Sequence, residues 1–245
     1  MTAGPGEYGE APDADADPDT DADTDADAAE VAGGDHGAAD RAAAHRMVGV
    51  GPHPLPWPDD PRLDRELLAA GDIRNVADRY RYWTVDAIVA DLDTRRFGYH
   101  VAIENLRHDL NIGSIVRTAN AFLAEEVHVV GRRRWNRRGA MVTDRYQHIR
   151  HQPDPVALRD FADARDLPIL GLDNISGAEP LESAQLPARC ILFFGQEGPG
   201  LSPEGLAVCD GLLSIAQFGS TRSINVGAAA AITMHTWIRQ HATSG

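Results

Sequence analysis

From Gly98 onward, short apolar runs alternate with longer amphipathic stretches, a rhythm that leaves few folds open. Tyr99–Ile103, Glu126–Val130, His148–Gln152, Ile169–Leu172, Cys190–Phe194 and Leu212–Ile215 read as strands. Ile112–Phe122, Pro155–Arg165, Pro203–Val208 and Ile224–Gln240 carry the spacing of helices. A strand that is apolar on successive residues is buried on both faces, and helices must cover it on both sides. The expectation is an α/β fold with a mostly parallel sheet flanked by helices. No internal repeat of fixed period competes with it.

Ahead of this region, residues 61–70, 72–83 and 84–96 have helical spacing. Leu63, Leu67 and Leu68 share one face, Ile73, Val76 and Tyr80 the next, and Ile88, Val89 and Leu92 a third. Residues 59–97 are therefore expected to form a helical segment preceding a domain over 98–245. Residues 1–58 read as a disordered acidic tail ending in a Pro52, Pro54, Pro56, Pro58 linker. Met1 to Asp40 contains 13 acidic residues and no basic one, so a net charge of −14 for the chain reduces to 24 acidic against 23 basic residues elsewhere. The rest is close to neutral, and total charge does not argue against a nucleic-acid partner.

All basic residues are arginine, which excludes a phosphate-binding P-loop and a Schiff-base lysine. Cys190 and Cys209 make neither a disulfide framework nor a zinc pattern, and the ten histidines show no ligand spacing, so no metal is expected. No apolar run approaches the ~18 residues needed to cross a bilayer, and no signal pattern opens the chain. A reduced, cytoplasmic location without membrane contact is the expectation.

Three polar motifs lie where expected strands run into helices. Asn111, Gly113 and Ser114 open the helix that follows the first strand, at the carboxyl edge where α/β proteins bind ligands. Arg117 lies six residues beyond Asn111, about one and two-thirds turns into that helix; a solvated helix arginine is its ordinary alternative. Gly195, Gln196, Glu197, Gly198 and Gly200 form a loop before a helix with Ser202 as N-cap and Pro203 at its first position. The spacing is G-x-x-G-x-G, which is not the dinucleotide fingerprint. Ile215, Ser223, Ile224 and Asn225 bracket a polar loop at the start of the last helix, where orphan N–H groups are capped or offered to a ligand.

N-x-G-x-I-x-R-T-A-x-A-F, then F-G-x-E-x-x-G-L, then S-x-N-V-x-x-A-A-A resembles, in order and spacing, the three motifs of the SpoU/TrmH family of RNA ribose 2′-O-methyltransferases in the SPOUT superfamily. The resemblance covers roughly Gly98 to Ala242. It implies a C-terminal trefoil knot, a homodimer and S-adenosylmethionine as methyl donor. Asn111, Arg117, Glu197, Ser223 and Asn225 match the family's catalytic positions. Gly195, Gln196, Glu197, Gly200, Ile215, Ser223, Ile224 and Asn225 fall in the segments that hold the cofactor. Where the family usually has glycine after Ala-Phe in the first motif, this chain has Leu123. A guanidinium stays protonated near neutrality, so Arg117 is expected to stabilise a developing oxyanion rather than to act as a base.

Between Arg132 and Arg150 the chain holds seven arginines and one acid, Asp144, with Trp135 and Tyr146 interleaved and His148 and His151 extending the stripe. Arg132, Arg133, Arg134, Arg137, Arg138 and Arg145 are the expected RNA contacts, with the aromatics stacking on bases; pairing of these arginines with acids elsewhere is the alternative. The expected function is methyl transfer to a ribose 2′-hydroxyl of tRNA or rRNA. A non-catalytic RNA-binding protein of the same fold and a nucleotide-dependent enzyme of ordinary doubly wound topology are the competing readings.

Overall fold

The computed structural model describes residues 49–105 and 111–242; the expected acidic tail, up to residue 48, lies outside the described residues. Seven strands form one sheet: β1 (Tyr99–Asn105), β2 (Val127–Gly131), β3 (Ile149–Gln152), β4 (Ile169–Leu172), β5 (Glu179–Pro180), β6 (Cys190–Phe194) and β7 (Gly211–Ser214). Their order is β3-β2-β1-β6-β4-β7-β5, and the paired strands run parallel. The helices are α1 (Arg65–Ala70), α2 (Val85–Asp93), α3 (Asn111–Ala121), α4 (Pro155–Asp163), α5 (Pro203–Ala207) and α6 (Val226–His241). No helix among the described residues is long and apolar enough to cross a membrane.

The unbroken apolar character of the strands follows from two separate cores. On one face Tyr99, Val101, Ile103, Leu192 and Phe194 pack with Ile112 and Ile115 of α3 and with Met234 and Trp237 of α6. On the other, Ala102, Val130, Ile191 and Phe193 meet Leu158 and Ala162 of α4. Successive residues point to opposite faces, so both sets must be apolar. Trp237 also donates from Nε1 to the Pro187 carbonyl at 3.0 Å, which pins α6 to the loop before β6.

The strand and helix expectations from Gly98 onward hold to within two residues at nearly every end. The two-residue β5 carries no sequence signal of its own. Leu123 occupies the left-handed region with φ 52°, the conformation for which glycine is the unstrained choice. Its carbonyl accepts the Phe97 N–H at 2.9 Å and its side chain joins the Tyr80, Ile88 and Leu92 cluster, so packing offsets the backbone strain.

Upstream, the expected helix over 72–83 does not form. The fully buried Asp72 carboxylate accepts from the Arg74 guanidinium at 2.7 and 2.8 Å and from the Tyr82 N–H at 2.9 Å. A helix would hold residues 72 and 82 roughly 15 Å apart at ~1.5 Å per residue, so this bond selects a doubled-back loop containing only a short 3-10 turn, Asp78–Tyr80. Burial pushes the Asp72 carboxyl up, but the Arg74 and Tyr82 donors outweigh it and hold the group at about 2. Ile73, expected on an apolar face, is instead 84% exposed. The helices over 61–70 and 84–96 shorten to α1 and α2, capped by Asp64 and Thr84.

Hydrogen-bonded structure also starts earlier than the expected boundary at residue 58. Val50 pairs with Asp72, the His53 N–H donates to the Leu68 carbonyl at 2.8 Å, and Tyr82 Oη donates to the Gly51 carbonyl at 2.6 Å.

Beneath α4 lie two buried histidines, His100 and His128, whose desolvation lowers them to about 4 and about 3. Both are neutral in the fold and take up protons near the ordinary histidine range when unfolded. Between those limits the unfolded state binds more protons, so stability is complete above about pH 6.5 and is lost as pH falls toward 4. Thermal unfolding followed by circular dichroism is expected to show this loss, and a double His100→Gln, His128→Gln variant should flatten the profile in that window.

Candidate active site

The carboxyl ends of β1, β6 and β7 carry the three motif loops, and hydrogen bonds tie those loops together. Asn111, at the start of α3, donates from Nδ2 to Glu197 Oε2 at 2.5 Å. Asn225 Nδ2 donates to Glu197 Oε1 at 3.2 Å and to Asn111 Oδ1 at 3.0 Å. Residues 111, 197 and 225 therefore form a closed triangle across 114 positions of sequence. Asn225 Oδ1 accepts from the N–H groups of Gly227 and Ala228 at 2.9 and 3.2 Å, which makes Asn225 the N-cap of α6. Ser223 does not take that role: it stands two residues too early, exposed beside the cavity.

The second motif is a folded-back loop. Gln196 and Gly200 exchange N–H···O=C bonds at 3.0 and 3.2 Å, which drives Gly195 so close to the Gly200 carbonyl that any side chain at residue 195 would collide with backbone. Two acids hold the loop from below. Asp173 Oδ2 accepts from the Leu201 N–H at 3.0 Å. The buried Glu104 accepts from the Ser202 N–H at 2.9 Å and from Ser202 Oγ at 2.5 Å. Burial raises the Glu104 carboxyl and the Ser202 bonds oppose the rise. Ser202 in turn caps α5 through the Gly205 N–H at 2.9 Å, with Pro203 in the first turn, as its sequence indicates.

Between the second and third loops lies a cavity of about 450 Å³. Gly195, Gln196, Glu197, Gly200, Ile215, Ser223, Ile224 and Asn225, all singled out from sequence, line it. Leu172, Leu213 and Ala229 give it an apolar wall, Gln217 and Arg222 of the third motif's polar loop add polar groups, and Asn174 adds one that the motifs did not point to. Asp173 and Asn174 directly follow β4 at the carboxyl edge, which is the signal that could have found them. Two cavity-lining side chains, Gln196 and Gln217, have Oε1 atoms shielded from solvent that meet no donor among the described residues. A buried acceptor without a partner is costly, and here it marks where a ligand's N–H groups would be accepted.

Arg117 is exposed on α3, forms no hydrogen bond or ion pair with the described residues, and does not line the cavity. It stands roughly 9 Å along the helix axis from Asn111.

The arginine stripe is narrower than its sequence suggests. Arg132, Arg133, Arg134, Arg137, Arg138 and Arg145 are all exposed, and among them only Arg137 has a described carboxylate partner, Asp144 at 3.4 Å. Arg150 leaves the stripe by pairing with Glu126 at 3.0 Å. Tyr146 is buried against Tyr80, Ile88 and Leu92 and cannot stack on a base, while Trp135 is half-buried against the main core. His148 bonds Asp93 and His151 bonds the Gly131 carbonyl. The Arg138–Ala140 turn sits on the first motif: a Cβ on Gly113 would meet the Ala140 nitrogen at 2.6 Å and the Gly139 Cα at 2.7 Å. The basic loop is thereby held against the start of α3.

Fold and site together define an α/β protein with a ligand cleft built from three loops at the carboxyl edge of a parallel sheet. The chain belongs to the SpoU rRNA Methylase family, whose pattern it matches over residues 98–235. It is 33% identical over 147 residues to a Mycolicibacterium smegmatis protein named as an uncharacterized tRNA/rRNA methyltransferase, covering 57% of this chain and 46% of that protein. It is 27% identical over 153 residues to the tRNA (guanosine(18)-2′-O)-methyltransferase of Thermus thermophilus, covering 59% of this chain and 76% of that enzyme. Among solved structures, the SpoU methyltransferase AviRb from Streptomyces viridochromogenes, described in complex with the cofactor AdoMet, superposes with a TM-score of 0.55 at 24% identity, covering 63% of this chain and 62% of that one. The chain thus spans about half the length of the M. smegmatis relative.

The double role of Asn225 separates two kinds of damage. Asn225→Ala removes the α6 cap and is expected to cost about 1 kcal/mol in denaturant unfolding. Asn225→Asp keeps a capping oxygen but places a second carboxylate against Glu197. It should retain most of the stability while loosening the triangle, read as faster proteolysis of the loop around residue 222.

Proposed function

We propose that this protein transfers a methyl group from S-adenosylmethionine to a ribose 2′-hydroxyl of structured RNA, either tRNA or rRNA. The observation that carries the reading is a cavity at the carboxyl edge of the sheet between the second and third motif loops, with the first motif tied to its rim by the bonds of Asn111 to Glu197 and Asn225. The cavity's chemistry fits the donor: apolar walls at Leu172, Leu213 and Ala229 suit a purine, and the orphaned Gln196 and Gln217 carbonyl oxygens suit amino groups. S-adenosylmethionine, when bound, supplies an electrophilic methyl on a sulfonium, a reaction that needs no metal.

The chain's own task is alignment and charge stabilisation. The Asn111–Glu197–Asn225 triangle fixes the rim on which the ribose would rest. The guanidinium of Arg117 opposes the negative charge that grows on the attacking oxygen; the proton leaves to water or to an RNA phosphate. Because Arg117 lies outside the cavity lining, the reading includes a homodimer, with the exposed flank of α3 facing a second copy. It also includes a trefoil knot threading the segments that carry the second and third motifs, as the family resemblance implies. The exposed arginines beside Gly113 would hold phosphates while the target nucleotide reaches the rim.

A non-catalytic RNA-binding protein draws support from the distance between Arg117 and the cavity, and one experiment separates the two readings. Arg117→Ala should keep S-adenosylmethionine affinity by calorimetry while lowering methyl transfer about 100-fold or more, the scale of losing one oxyanion donor. Absence of cofactor binding by the unaltered protein contradicts the catalytic reading. RNA affinity should fall steeply with salt. An Arg133→Ala, Arg138→Ala double variant should reduce the slope of log affinity against log salt by about 1–2, and an unchanged slope would remove the patch from the interface.

A further inference from the structure

At the opposite, amino end of the sheet lies a second group of polar side chains that the cofactor cavity does not use. The parallel register sets Val101 beside Val127, so His100 falls level with Glu126, and His128 follows two residues on. In a pleated strand, residues two apart share a face. His100, Glu126 and His128 therefore gather on the α4 side of the sheet, against the ring of Phe161.

We propose that His100, Glu126 and His128 form a binding site for a zinc-class divalent transition metal. One donor atom from each residue lies within 4.8 Å of the other two. His100 Nδ1 and His128 Nε2 are 3.1 Å apart, and Glu126 Oε2 is 3.8 Å from His128 Nε2. Ligands on the edges of a tetrahedron around zinc, with bonds of ~2.0–2.1 Å, stand roughly 3.3–3.4 Å apart. The two spacings made by His128 Nε2 lie within a few tenths of an ångström of this, and the third, between His100 and Glu126, is within 4.8 Å and closes by rotation of the Glu126 side chain. Two histidines and one glutamate with a fourth position open is a donor set that zinc takes in proteins.

Three further features of a metal site are present. The imidazoles are neutral, because desolvation lowers both, so each has a lone pair to give. The outer ring of partners exists: Gln152 meets His128 Nδ1 at 3.2 Å, and its amide can turn to accept from that nitrogen once Nε2 is bound. Arg150 Nε donates to both Glu126 oxygens at 3.0 Å and fixes the carboxylate without using all of its lone pairs. An entry route exists as well, since a cavity of about 580 Å³ opens onto His100 and Glu126 and gives room for a water at the fourth position. The shared proton between His100 and His128 moves to His128 Nδ1 on binding, so no net proton is released. The charges facing the site oppose one another: Arg150, Arg165 and Arg189 disfavour a cation, and Glu125 and Glu126 favour it.

This site is independent of the methyl-transfer reading and is tested without it. The full chain, freed of any polyhistidine tag, is titrated with Co²⁺ followed by visible absorption and with Zn²⁺ followed by calorimetry and thermal unfolding. One equivalent should bind, develop the intense visible bands of a four-coordinate cobalt site, and raise the unfolding midpoint, while Mg²⁺ does nothing. Glu126→Gln, a change at a partly exposed position, should weaken Zn²⁺ at least tenfold, and His100→Gln should abolish the bands. If the histidine variant fails to fold, Glu126→Gln decides. Absence of binding, binding unchanged in Glu126→Gln, or protection by inorganic phosphate in place of Zn²⁺ overturns the proposal.

Discussion

Everything at the carboxyl edge hangs on the three-way hydrogen bonding of Asn111, Glu197 and Asn225. Each of these residues belongs to a different strand-to-helix connection, and each is useless for chemistry on its own. A hydrogen bond to a charged partner contributes about 1.5–3 kcal/mol at best, and less where water competes. The triangle is exposed, so its worth is positional rather than energetic. It sets one rim across three loops whose separate backbones would otherwise drift.

The sheet beneath makes that positioning possible. Parallel strands buried on both faces end at a common edge, and every helix that leaves the edge presents unpaired N–H groups to it. Two acids, the buried Glu104 and the half-buried Asp173, then do what surface contacts cannot. Glu104 and Asp173 hold the glycine loop from the protein side, which leaves Gln196 of that loop, with Gln217 of the third loop, for a ligand. Gly113 lets the arginine-bearing turn settle against α3, so a surface able to hold phosphates and a cavity able to hold a donor meet at Asn111.

Most of the domain after Gly98 could be read from the sequence, because a strand buried on both faces writes an unbroken apolar run and its helices write caps. The eight residues that line the cavity were expected from the family resemblance of the second and third motifs, because glycines and polar residues at strand ends by themselves also suit a plain turn. Tertiary hydrogen bonds were not legible. Asp72 reaching Tyr82 overrode an adequate helical pattern over 72–83, and nothing local announces such a bond. Tyr146 looks like a stacking residue because it sits among arginines, yet the Thr143–Arg145 turn carries it into the Tyr80, Ile88 and Leu92 cluster. The pairing of Arg150 with Glu126 likewise depends on strand register, which spacing alone does not reveal.

The central claim is that this cleft directs a methyl group to ribose oxygen. Its most direct test is nucleoside mass spectrometry of RNA incubated with the protein and isotopically labelled S-adenosylmethionine. The account predicts label in a 2′-O-methylated nucleoside, at one position in a folded substrate. Label on a base, or no incorporation by a protein that binds the donor, would contradict it.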